Sequence, residues 1–152
     1  MSPDRTIVRV VTARSARHIT SPPLAIAGAV VMGTEIGYVR LLSEQGSFPS
    51  IDARVAWVLI VLLGMAVLAG IGAVARSPAV RAALAAACAA VLLPLGVLAA
   101  FSIGLPLLAA GTIAVAVWGG ALRETSDRSA FPSITAGIAA FVALALGLVA
   151  TG

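Results

Sequence analysis

Val55-Ala56-Trp57-Val58-Leu59-Ile60-Val61-Leu62-Leu63-Gly64 opens an apolar run that continues without a charge to Ala75 and stops at Arg76-Ser77-Pro78. At 1.5 Å per helical residue, such a run reaches across the roughly 30 Å hydrocarbon core of a bilayer. Hydrocarbon offers no water to satisfy backbone N–H and C=O groups, so a lipid-embedded segment of this length is a helix rather than a loop or an open strand. The stretch from about 55 to 75 therefore reads as a membrane span, and the rest of the chain follows the same grammar.

Upstream, Ser21-Pro22-Pro23 marks the start of a span over about 24–42. Downstream, residues 79–122 are interrupted only by Arg81. That is too long for one crossing and suits two helices, about 79–101 and 104–122, turning at Ser102-Ile103-Gly104. Pro94 is expected to kink the third span, and Pro106 falls in the first turn of the fourth. A fifth span runs over about 132–150. The fold class expected is all-α: a polytopic transmembrane helix bundle of about five spans, with residues 22–152 as the membrane domain and 1–21 as a basic tail.

Composition agrees. The chain is 61% hydrophobic and 11% charged, with a mean hydropathy of +1.10, where soluble domains are about half apolar and about a quarter charged. All ten basic residues are arginine, at 5, 9, 14, 17, 40, 54, 76, 81, 123 and 128. A pI near 11.1 raises nucleic-acid binding. That function needs a continuous basic patch with base-reading residues, whereas these arginines border apolar runs. No nucleic-acid partner is expected, and the lipid bilayer is. Placing the N terminus in the cytoplasm puts eight arginines inside and only Arg40 and Arg54 outside, and the C terminus then lies outside. The absence of lysine suggests GC-rich codon usage, hence a bacterial plasma (inner) membrane. In the tail, Ile7, Val8, Val11 and Ile19 fall on one side of a helical wheel and the arginines on the other, with Val10 breaking the pattern, as in a helix lying in the headgroup plane. The apolar run after the tail leads into Glu35, Tyr38 and Arg40 rather than a small-residue cleavage site, so the tail reads as retained.

Displaced by 83 positions, residues 24–64 align without gaps on 107–147 with fourteen identities. Apolar pairs such as Leu24/Leu107, Ala27/Ala110 and Gly28/Gly111 match cheaply. The stronger signal is the loop: Arg40/Arg123 ends a span, Ser43/Ser126 follows, and Phe48-Pro49-Ser50-Ile51 repeats as Phe131-Pro132-Ser133-Ile134. Shared interface grammar explains this equally well. If the repeat is a duplication, one span separates the two hairpins and they form an inverted repeat, as in many transporters.

Glu35 lies about twelve residues into the first span, where an ionised carboxylate costs roughly 2.5 to 3.5 kcal/mol, so it should face protein or a watery cavity. It is a candidate proton or cation site. The alternative is a protonated or hydrogen-bonded Glu joining two helices, or one solvated near the interface. Tyr38, three residues on, can meet it, and Arg40 reads as a snorkelling residue. In the repeat Glu35 aligns with Trp118, so its site is not duplicated. The same span carries Ala25, Ala29, Gly33 and Gly37 at four-residue spacing, a ridge that admits another helix closely. Glu35 and Gly33 lie about 160° apart, so both faces of the span should contact protein.

Nothing in the chain resembles a catalytic site. His18 is the only histidine and lies in the tail, Cys88 is the only cysteine and lies in an alanine run, and Gly70-Ile71-Gly72 sits within a span. No metal or cofactor is expected, Cys88 reads as a packing residue, and the chain is read as non-enzymatic. Glu35 and its glycine-rich surroundings resemble the first span of small multidrug resistance transporters. The likeness stops there: this chain has five spans rather than four and lacks that family's later aromatic residues. The expected role is a small accessory or scaffolding subunit packing against larger membrane partners or itself, and the second reading is a small transporter or channel using Glu35.

Overall fold

The computed structural model describes residues 21–44, 52–124 and 130–151. The amphipathic tail and the Phe48-Pro49-Ser50-Ile51 block lie outside the described residues, as do Ser126 and Asp127 in the second loop. Five helices follow one another: α1 Pro22–Glu44, α2 Ala53–Val74, α3 Pro78–Leu98, α4 Gly104–Glu124 and α5 Ala130–Ala150. Each is long and apolar enough to cross a bilayer, and the chain is a multi-pass helical membrane protein.

The helix starts follow from proline and polar caps. Pro22 and Pro23 open α1, Pro78 opens α3, and Pro106 and Pro132 lie in the first turns of α4 and α5, where a missing N–H costs nothing. Asp52 caps α2 by accepting from the Arg54 backbone N–H at 3.5 Å. Pro94 is accommodated inside α3. The third span ends at Leu98, three residues short of the expected 101. The backbone N–H groups of Ser102 and Gly104 both donate to the Ala99 carbonyl, at 2.9 and 2.8 Å, and fold Ala99–Ile103 into a tight reversal. Only glycine fits at 104, because a Cβ there would collide with the carbonyls of Gly96 and Ala99.

α1 packs on α2, α2 on α3, α3 on α4 and α4 back on α1, which closes a four-helix ring. Every neighbour in that ring is an odd–even pair, so an alternating chain makes all four contacts antiparallel. α5 stands outside the ring, chiefly against α3, to which it runs in the same sense, and touches α2 more lightly. α3 is consequently the most buried helix. Its alanines 82, 85, 86, 87 and 89 let α2, α4 and α5 approach closely. Leu24, Val31, Leu62, Leu92, Leu95 and Leu107 fill the core. At one end of the ring the Ser21 N–H donates to the Ala73 carbonyl at 2.8 Å, tying the start of α1 to the end of α2.

The apolar pairs of the alignment displaced by 83 positions occupy equivalent places. Leu24, Ala27, Gly28 and Val31 are the buried residues of α1, and Leu107, Ala110, Gly111 and Ala114 are buried in α4. The two following helices differ: α2 lies along α1, whereas α5 leaves α4 and lies along α3.

Tight glycines and open glycines should respond oppositely to a methyl group. A Cβ on Gly96 would lie 2.9 Å from the backbone nitrogen of Leu108, whereas one on Gly33 meets nothing within 4 Å. Gly96→Ala should lower stability by about 1–3 kcal/mol. Gly33→Ala should leave it unchanged or raise it by up to about 1 kcal/mol. Thermal unfolding of the two variants in one detergent checks this.

Candidate functional site

Glu35 sits on α1 at the edge of its seam with α2, in a shallow groove shared with Met32, Ile36, Val39, Arg40, Ser43 and Leu63. The groove faces away from the ring core. Glu35 is half-buried, and its Oε2 is shielded from solvent without a hydrogen-bond partner among the described residues. Tyr38 turns instead toward two other cavities, beside Ser102 and Ile103 at the α3–α4 reversal. Arg40 pairs with Glu44 through Nε at 3.2 Å, both side chains largely exposed. The structure thus separates Glu35 from Tyr38, one helical turn apart with no bond between them, while Arg40 borders both the Glu35 groove and the Tyr38 groove without pairing to either residue.

The small-residue ridge takes the opposite side of α1. Ala25, Ala29, Gly33 and Gly37 are all exposed, and neither glycine has a neighbour within 4 Å of its Cβ position. The packed face is that of Leu24, Ala27, Gly28 and Val31, where a Cβ on Gly28 would lie 3.3 Å from Ala69 Cβ. Within one chain, therefore, the ridge stays unpacked: Ala25 and Ala29 are exposed, and Gly33 and Gly37 line an open groove with Ser102, Ile103 and Pro106.

Three features were hidden in the sequence. Arg81, taken as a topology signal, is buried near the start of α3. Its guanidinium reaches Glu124 at the end of α4 at 3.3 Å, with the arginine side chain 10% exposed and the glutamate 63%. Arg81 Nε is buried without a partner among the described residues. The two tryptophans hold α5 at its two ends. The Trp118 indole N–H donates to Ser133 Oγ at 3.1 Å, and the Trp57 ring lies against Gly147, where any side chain would collide with it. Between these clamps α4 and α5 diverge over an apolar cleft of about 520 Å³, floored by Ala86, Ala89 and Ala90. Trp118, the counterpart of Glu35, lines that cleft. Cys88 is buried, its thiol directed at the Met65 carbonyl at 3.6 Å. Loop grammar explains why Arg81 was missed: an arginine near a span end serves topology and pairing alike, and Glu124 lies 43 residues away.

Comparison of the chain with protein-family models, with curated proteins and with solved structures finds no match.

Burial separates the two ion pairs. Removing the partner of buried Arg81 leaves a desolvated charge, whereas exposed Arg40 is simply resolvated. Glu124→Ala should lower stability by roughly 1–2 kcal/mol, and Glu44→Ala by less than about 0.5 kcal/mol. Chemical unfolding of both variants in micelles measures the difference, and equal losses would contradict the assignment.

Proposed function

We propose that the protein is a small accessory or scaffolding subunit of a larger membrane assembly, engaged in transport, respiration or the envelope, and that α1 is the helix it presents to its partner. The bare ridge of Ala25, Ala29, Gly33 and Gly37 carries the reading. Between helices already surrounded by lipid there is little hydrophobic gain on association, so close backbone approach over small residues supplies the contact. Short connections and the lack of a recognisable catalytic constellation are in keeping with a role exercised by packing rather than chemistry, so we propose no enzymatic activity. The arginine asymmetry supports a bacterial inner membrane with the N terminus in the cytoplasm and the C terminus outside.

A second reading, a self-sufficient transporter or channel working through Glu35, draws on the shielded and unpartnered Oε2 of that residue. An acid held in a span without a partner is costly and is kept where it does something. Against it, the middle of the ring is filled by close-packed apolar side chains that a conducting path would have to displace, and Glu35 opens onto a groove between α1 and α2 instead.

Crosslinking and co-purification from native membranes distinguish the two. For a subunit, the paired substitution Gly33→Leu and Gly37→Leu abolishes the association while the purified chain unfolds at the wild-type temperature. A chain that runs alone with or without those leucines contradicts the reading. For a transporter, reconstituted flux falls by an order of magnitude or more with Glu35→Gln, and flux that ignores the substitution removes Glu35 from the mechanism.

A further inference from the structure

At the end of the bundle where α1 joins α2 and α3 joins α4, a cavity of about 320 Å³ lies between α1, α2, α3 and α5. Its depth is apolar: Val58, buried Leu62 and Leu95, and Leu148. Its mouth is polar, with Tyr38, Asp52, Arg54 and Ser102 around the opening. The neighbouring groove beside Ser102 and Pro106 also carries charges, but its Arg40 and Glu44 are bonded to each other, whereas Asp52 and Arg54 form no side-chain ion pair with each other. The cleft beside Trp118 is apolar throughout, and the groove at Glu35 is shallow.

Water is poorly held in the depth of such a space, because each buried water needs two to four polar partners and Val58, Leu62, Leu95 and Leu148 offer no side-chain ones. In a bilayer the abundant alternative is an acyl chain, and the volume sits at the lower end of the roughly 300 to 1,000 Å³ of small-molecule sites. The rim adds a second requirement. The exposed Arg54 side chain has no carboxylate partner among the described residues and stands in the first turn of α2, where the helix terminus also favours an anion. Guanidinium at that position suits a phosphate. Asp52 accepts the Arg54 backbone N–H through Oδ1, which leaves its other oxygen for a further donor.

We infer that this cavity binds one phospholipid with a primary-ammonium headgroup, placing an acyl chain among Val58, Leu62, Leu95 and Leu148, its phosphate against Arg54 and its ammonium against Asp52. A phosphatidylglycerol lacks the cation and sets its phosphate beside the Asp52 carboxylate. A phosphatidylcholine has a cation without N–H donors. Phosphatidylethanolamine satisfies both charges. Tyr38 borders both this cavity and the groove beside Gly33 and Gly37, and the lipid site stands whether or not the chain is an accessory subunit.

Native mass spectrometry of the full-length protein, titrated separately with dioleoyl phosphatidylethanolamine, phosphatidylglycerol and phosphatidylcholine, tests it. One phosphatidylethanolamine per chain should survive activation that strips the other two. Arg54→Gln should lower its occupancy about tenfold, the loss of one charge-assisted hydrogen bond. Asp52→Asn preserves the helix cap and should erase the preference over phosphatidylglycerol. Release of all three lipids at the same energy, or wild-type retention by Arg54→Gln, overturns the assignment.

Discussion

Hydrocarbon cannot hydrogen-bond to a peptide group, and that single constraint shapes the molecule. Each apolar segment must close its own backbone bonds, so each becomes a helix, and irregular backbone is confined to the ends. The reversal between α3 and α4 shows how tightly that is managed: one carbonyl, that of Ala99, receives the N–H groups of both Ser102 and Gly104. The Ala73 carbonyl at the end of α2 is met by the Ser21 N–H in the same way. Once the backbone is satisfied within helices, nothing in the hydrophobic effect favours one helix neighbour over another, and packing of small residues decides the arrangement.

That second step explains α3. A helix rich in alanine lets other backbones approach it most closely, and α2, α4 and α5 all lie on it. Tryptophan does the reverse job at the periphery. Trp57 needs a glycine to lie on and finds Gly147, while Trp118 needs an acceptor for its indole N–H and finds Ser133. α5 is therefore held by its ends, with an apolar cleft opening between it and α4. The first helices of the two aligned segments bury the same four positions, but those clamps give the second helices different neighbours.

Element existence was legible in the sequence because charge and proline punctuate hydropathy so clearly: Arg76-Ser77-Pro78 ends α2 and opens α3 where expected. The end of α3 was not, since Ala99-Ala100-Phe101 is as apolar as the helix before it and only the hydrogen bonding of the reversal sets the limit. Neighbour relations were also illegible. Lipid-facing and protein-facing sides of these spans carry the same kinds of side chain, so Val31 at the core and Ile36 in the open look alike on paper. For the same reason α1 was expected to meet protein on two faces, and within the chain its ridge stays unpacked. Glu35 was recognisable as unusual from its position alone, but its separation from Tyr38 depends on where α2 and the α3–α4 reversal lie.

Five crossings, with α5 parallel to α3, are the premise on which the ring, the two tryptophan clamps and the surface position of the lipid site all rest. The direct test is the sidedness of the two connections flanking α1–α2 and α4–α5. Single cysteines replace Glu44 and Asp127 in turn in a Cys88→Ser chain, and each is treated with a membrane-impermeant thiol reagent in intact cells. An odd number of spans between them predicts that one is labelled from outside and the other only after the membrane is opened. Labelling of both from the same side would contradict the account.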